Sequence, residues 1–125
     1  MSPRHVPATQ AELSRIGLLA ELPGERLVAL SKRMRREEVP GGEAPIVEGE
    51  AGDRFYVVLN GMFAVSNFGS TPRRVLRPGD YFGEVALTMG VPRTANVRAL
   101  TPAVVASCDK QTFDEYLRPL FAEDG

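Results

Sequence analysis

Turn-forming clusters cut the middle of this sequence into short pieces, at Gly49 to Asp53, Asn60-Gly61, Gly69-Ser70-Thr71-Pro72, Pro78-Gly79-Asp80 and Thr101-Pro102. Glycine adopts positive φ without strain, proline fixes φ and lacks an amide hydrogen, and Asn, Asp and Ser close local hydrogen bonds. Long helices therefore do not cross these points. The pieces between them are rich in Val, Leu, Phe and Tyr and predict strands at residues 44–47, 55–59, 62–67, 73–76, 96–99 and 104–107. Asn60-Gly61 signals a tight hairpin. Strands this short and this closely spaced fold as a sandwich or a barrel.

Helical signals flank that β region. Thr9-Gln10-Ala11-Glu12 has capping-box spacing and predicts a short helix through about Ile16. After Pro23-Gly24, the spacing of Leu27, Leu30 and Met34 places one apolar stripe on a second helix ending near Arg35, and Val39 to Glu43 reads as a turn. Asp109 is positioned to cap a final helix carrying Phe113, Tyr116 and Leu117, which Pro119 ends or kinks. The 125 residues suffice for one core and not for two. The organisation expected is a loose tail at 1–8, one domain at 9–118 and a tail at 119–125.

Charge and composition narrow the chemistry. A net charge of −1 leaves no electrostatic footprint for direct nucleic-acid binding. The basic run Lys32-Arg33-Met34-Arg35-Arg36 is followed at once by Glu37-Glu38, and reads as a solvated face or, alternatively, a docking patch. His5 is the single histidine, so neither an imidazole-built metal site nor a metal-dependent phosphodiesterase is expected. Cys108 is the single cysteine, which rules out an internal disulfide and suits a reducing compartment. Its neighbours Val104, Val105 and Ala106 predict a buried small hydrophobe in place of a reactive thiol. No apolar run approaches the ~20 residues of a membrane span and no export signal is read, so a cytoplasmic location is expected.

One constellation carries chemistry. Phe82-Gly83-Glu84-Val85-Ala86-Leu87 is followed, after the spacer Thr88-Met89-Gly90-Val91-Pro92, by Arg93-Thr94-Ala95-Asn96-Val97. Gly83 frees backbone amides for close approach. Glu84 to Leu87 read as the first turn of a short helix, whose unpaired N–H groups favour an anion, and Arg93 adds a full positive charge. A carboxylate beside those amides repels phosphate but accepts well from a sugar hydroxyl, so Glu84 reads as a ribose clamp. The cluster suits a nucleotide bearing one cyclic phosphodiester, not free phosphate. Each residue has a plainer reading alone: Gly83 a bulge or turn glycine, Ala86 and Leu87 core, Glu84 a solvated carboxylate, Arg93 a surface charge. Their joint order and spacing favour the ligand site.

The same residues resemble the phosphate-binding cassette of cyclic-nucleotide-binding domains, the family found in catabolite-activator-type regulators, cyclic-nucleotide-dependent kinases and gated channels. That cassette runs apolar-Gly-Glu-x-small-apolar, a spacer, then Arg-small-Ala-x-apolar-x-small, and Phe82 to Ala99 match each element. A second family signature, a Gly-x-x-Gly-Asp turn leading into an apolar strand and a closing Gly, resembles Gly49 to Asp53, Phe55 to Leu59 and Gly61. Pro45 departs from the aliphatic residue that often begins it. The resemblance covers roughly residues 12 to 118.

The resemblance implies a mainly β fold with flanking helices, a β-roll of jelly-roll type (a double-stranded β-helix). It also implies a ligand set. Arg93 pairs with the exocyclic phosphate oxygens, amides of Gly83, Glu84, Ala86 and Ala95 complete the anion shell, and Glu84 accepts the ribose 2′-hydroxyl. Val85 and Leu87 line the pocket or anchor the short helix, with Val75, Leu76 and Tyr56 as weaker wall candidates. Thr94 and Arg74 bear on base choice: cyclic AMP (cAMP) is favoured as the family's commoner ligand, and cyclic GMP (cGMP) stays open. No catalysis and no metal are implied. The role implied is sensory, with helices flanking the roll passing ligand binding to an effector domain or protein not contained in this chain, and with homodimer formation open. Eight residues follow Leu117, too few for a helix-turn-helix domain or a long helix to lid the base. The alternative is a roll that binds no ligand and serves as a protein-interaction module.

Overall fold

The computed structural model describes residues 6–66 and 74–121. The predicted turn at Gly69 to Pro72, the strand ends at Asn67 and Arg73, and most of both predicted tails lie outside the described residues. In chain order the elements are β1 (Val6–Pro7), α1 (Gln10–Ser14), a 3₁₀ turn (Leu19–Glu21), α2 (Gly24–Arg33), β2 (Arg35–Val39), β3 (Arg54–Asn60), β4 (Phe63–Ser66), β5 (Arg74–Leu76), β6 (Tyr81–Phe82), α3 (Glu84–Met89), β7 (Asn96–Ala99) and β8 (Ala103–Asp109). A C-terminal helical run follows, made of Lys110–Thr112, a π-helical Phe113–Leu117 and Arg118–Phe121.

The strands form two antiparallel sheets, ordered β1-β2-β8-β3-β6 and β5-β4-β7, rolled against each other without closing into a barrel. Side chains alternate across a strand, and in β3 and β8 both faces are buried. Phe55 and Val57, with Ala106 and Cys108, face a layer of helical residues that includes Leu13, Leu30, Phe113 and Leu117. Tyr56 and Val58, with Val105, face Phe63, Leu76 and Val97 of the second sheet. Two cores thus share one sheet. The unbroken apolar run of β3 follows from this double burial.

The flanking helices form for the reasons their sequences suggest. Thr9 Oγ1 accepts the Glu12 backbone N–H, and the Glu12 carboxylate accepts that of Thr9, completing the capping box. Asp109 accepts the Thr112 backbone N–H, which holds its carboxyl below the ordinary aspartate value. Part of the basic run is paired: Arg33 with Glu115 and Arg36 with Glu12, each at 3.0 Å. Cys108 is fully buried, and burial pushes its thiol up to about 12.

Four local expectations need correction. Arg35–Val39 forms a strand, paired with β8 from Arg35 opposite Ser107 to Val39 opposite Ala103, where a helix end and a turn were expected. Its Arg-Arg-Glu-Glu stretch lacks strand-favouring residues, and pairing decides its conformation. Residues 44–47 make only an isolated bridge, Ile46 with Val97, and Pro45 has no N–H for a ladder. Within the expected N-terminal tail, Val6 and Pro7 pair with Arg36 and Arg35. The C-terminal helical run passes through Pro119 to Phe121, because the π-helical turn before it already shifts the hydrogen-bond register, the Arg118 N–H reaching the Phe113 carbonyl. Phe121 then packs against Phe55, Tyr81 and Phe113, with ring centroids 5.4 to 6.0 Å apart. Among the described residues no helix is long and apolar enough to cross a membrane.

Candidate functional site

Gly83 turns β6 into α3 with a φ of +95°, a left-handed conformation that a side chain would strain. A Cβ there would also stand 2.8 Å from the Arg54 carbonyl oxygen. Among the described residues no side chain caps the first turn of α3, which leaves its leading N–H groups open to a ligand's acceptors. Ala86 and Leu87 are buried, and Leu87 anchors the helix in the core beneath the helical layer. At the other end, Gly90 closes the helix in the left-handed region, and Arg118 Nη2 donates to the Leu87 carbonyl at 2.8 Å. Asp114 holds Arg118 from the same helical run at 2.6 Å.

Arg93 comes in from the loop after α3 and is only 7% exposed. Its Nη1 donates to the Gly83 carbonyl at 2.9 Å and its Nη2 to the Arg54 carbonyl at 2.8 Å. Its backbone is clamped by the Gly49 to Asp53 turn, through Arg93 N–H to the Glu50 carbonyl and Gly49 N–H to the Arg93 carbonyl, both at 2.8 Å. Among the described residues it forms no ion pair. Burial pulls its pKa below the ordinary arginine value, while the charges of Tyr56, Asp53 and Glu84 oppose that pull. An arginine stays protonated all the same, so the structure buries a cation whose hydrogen-bond partners among the described residues are neutral carbonyls, with Asp53 and Glu84 acting on it as nearby anions.

One cavity of about 550 Å³, mouth included, collects the sequence-predicted site residues: Gly83, Glu84, Val85, Ala86, Arg93, Thr94 and Ala95 all line it, and so do Arg74 and Leu76. Val75, Tyr56 and Leu87 do not line it; Tyr56 instead stacks on Phe82, centroids 4.8 Å apart and planes within 8°. Ile46, Val65, Tyr81, Phe82 and Val97 complete the wall; Phe82 and Val97 belong to the sequence motif, though without an assigned contact, and sequence reading missed Ile46, Val65 and Tyr81. Val65 and Val97 stand directly opposite each other on β4 and β7, a register that periodicity alone does not supply. Glu84 is half-buried, and its carboxylate has no hydrogen-bond or ion-pair partner among the described residues. Polar groups of both signs therefore converge on an apolar hollow, neither of them in an ion pair among the described residues.

Residues 36–119 match the family described as the cyclic nucleotide-binding domain. The chain is 39% identical over 109 residues to the cAMP-dependent protein kinase regulatory subunit of Yarrowia lipolytica, a match covering 86% of this chain and 29% of that protein. Among solved structures it is similar to the regulatory domain of Toxoplasma gondii PKA co-crystallised with cAMP, with 29% identity, a TM-score of 0.81, and coverage of 89% of this chain and 44% of that one. It is also similar to the regulatory subunit of a cAMP-independent protein kinase A from Trypanosoma brucei, with 26% identity, a TM-score of 0.82, and coverage of 88% and 40%. The chain spans less than a third of the length of the curated relatives it matches. It belongs to the cyclic nucleotide-binding domain family.

Proposed function

We propose that this member of the cyclic nucleotide-binding family binds cAMP in preference to cGMP and acts as a sensory domain, not an enzyme, for an effector beyond this chain. The observation that carries the reading is Arg93, a buried guanidinium at a cavity wall that forms no ion pair among the described residues. Burying an unpaired charge costs several kcal/mol, and a phosphate in the cavity would supply the missing partner. Two of the five guanidinium N–H groups are committed to carbonyls, which fixes the plane in which the others meet phosphate oxygens. The open first turn of α3, with amides of Gly83, Glu84 and Ala86, and the amide of Ala95 would complete the anion shell. Glu84, lining the same cavity, would accept the ribose 2′-hydroxyl.

Fold alone does not choose the ligand: one similar structure was crystallised with cAMP, and another belongs to a kinase named as cAMP-independent. In this chain support for a cyclic nucleotide comes from Arg93 and Glu84 standing in one cavity. The effector proposed is a kinase catalytic subunit or a comparable protein, in keeping with the regulatory-subunit relatives, and the compartment proposed is the cytoplasm. Calorimetric titration with cAMP, cGMP and 5′-AMP tests the reading. Stoichiometric heat with cAMP, weaker heat with cGMP and little with 5′-AMP is expected. No heat with any of them would leave the protein-interaction module as the better account.

A further inference from the structure

Gly52 lines no part of the cavity, yet it is pressed against the residue on which binding depends. A Cβ at this position would lie 2.7 Å from both Arg93 Cζ and Arg93 Nε, and 2.6 Å from the Cβ of Ala86 on α3. Close-packed interiors do not tolerate such approaches, so one of the neighbours would have to move. Gly52 is not among the glycines with positive φ, so an alanine there meets these contacts without left-handed backbone strain. The turn that carries Gly52 also holds the Arg93 backbone from both sides, through Gly49 and Glu50. The guanidinium is thus bounded on its Nη edge by the carbonyls of Gly83 and Arg54, and at Nε and Cζ by a residue with no side chain.

We infer that Gly52 is a positioning residue for the anion site: the absence of a side chain at this point sets how deep the Arg93 guanidinium lies, and so how its N–H groups align with those of α3. The inference rests on the reading that Arg93 binds the cyclic phosphate. A methyl group at position 52 would lift the guanidinium off its two carbonyls. That displaces donors that must converge with those of α3 on one phosphate.

The test is a calorimetric titration of the full chain with cAMP, with thermal melts alongside, for wild type, Gly52→Ala, Gly52→Ala with Ala86→Gly, Arg93→Lys, and Gly52→Ala with Arg93→Lys. Gly52→Ala is expected to weaken cAMP about tenfold or more, the worth of one spoiled charge-assisted hydrogen bond. Combining it with Ala86→Gly removes the methyl-to-methyl contact but not the one with Arg93, so the loss should persist; this pair also serves if Gly52→Ala alone folds poorly. In the Arg93→Lys background no planar group lies against position 52, and the same alanine should cost less than about twofold. Full affinity in Gly52→Ala, recovery of wild-type affinity on adding Ala86→Gly, or equal losses in the wild-type and Arg93→Lys backgrounds would each overturn the inference. If the wild type bound neither cAMP nor cGMP, the reading of the site would fall first and the role of Gly52 with it.

Discussion

The two faces of β3 are both buried, and they leave the chain in different conditions. On the helical side Phe55 and Val57 pack into a cluster of buried hydrophobic residues, and the Phe55 ring lies 5.3 Å from Phe113, 5.8 Å from Tyr81 and 6.0 Å from Phe121. On the inner side Tyr56 stacks on Phe82, and the residue after Phe82 is Gly83, where the wall opens into the cavity beside Arg93. The helical side needs nothing that the chain does not supply. The inner side opens onto a cation and a carboxylate that form no ion pair among the described residues. A strand with a period of two lets one sequence pack its odd positions against the helical layer and its even ones against the second sheet, beside which the cavity opens.

Substitutions that strike one face and spare the other test this division. The largest effect expected is on folding: Phe55→Ala should cost about 3–5 kcal/mol of stability in urea unfolding, the scale of a fully buried aromatic removed to alanine. Whatever fraction stays folded should still bind cAMP. If Phe55→Ala cost less than about 1 kcal/mol, the helical side would not be the closed core described.

Arg93→Ala should do the reverse. Binding should fall by about 2–5 kcal/mol, the usual cost of truncating one partner of a buried charged pair, while the midpoint of unfolding holds or rises, because an unpaired buried charge has gone. Arg93→Lys should recover only part of the affinity, an ammonium being unable to make the planar two-point contact. A destabilisation comparable to that of Phe55→Ala would show Arg93 to be structural and would break the comparison.

Glu84→Gln is expected to cost about 1–2 kcal/mol with cAMP, the gap between a charged and a neutral acceptor, and to leave folding unchanged. Titration of wild type and variant with 2′-deoxy-cAMP sharpens the point. If Glu84 accepts the ribose hydroxyl, the two deletions should be non-additive. Additive losses would move the carboxylate away from the sugar.

The inner face was legible in sequence wherever its residues are neighbours along the chain. Gly83 to Ala86 and Arg93 to Ala95 are two short stretches joined by one turn, and all seven line one cavity. The turn chemistry also marked β3, β7 and β8, whose apolar runs sit between glycine and proline clusters. What escaped depends on pairing across long separations. Ile46 reaches the wall only through its bridge to Val97, and Arg118 reaches the Leu87 carbonyl from 31 residues away. β2 escaped for a different reason: its charges suit a helix end as well as a strand, and only the partner β8 decides between them. Phe121 lies past a proline, and no local rule tells that a π-helical turn will carry the chain through.

The smallest effect concerns the base, at the outer edge of the inner face. Thr94 follows Arg93 directly, lines the cavity, is exposed, and makes no side-chain hydrogen bond among the described residues. A hydroxyl so placed has two uses: it can serve the phosphate, which both nucleotides share, or reach the guanine amino group, which only cGMP presents. The two uses give different arithmetic. If Thr94 reads guanine, Thr94→Ala should weaken cGMP more than cAMP by about 0.5–1.5 kcal/mol, the net worth of one neutral hydrogen bond, a differential of roughly tenfold at most. If it serves the phosphate, both nucleotides should lose the same factor, and any preference must come from walls such as Arg74, Val65 and Tyr81. Competition titrations of wild type and variant with both nucleotides separate the cases. A wild-type preference for cGMP that survived Thr94→Ala undiminished would overturn both the proposed cAMP preference and any part for this hydroxyl in base choice.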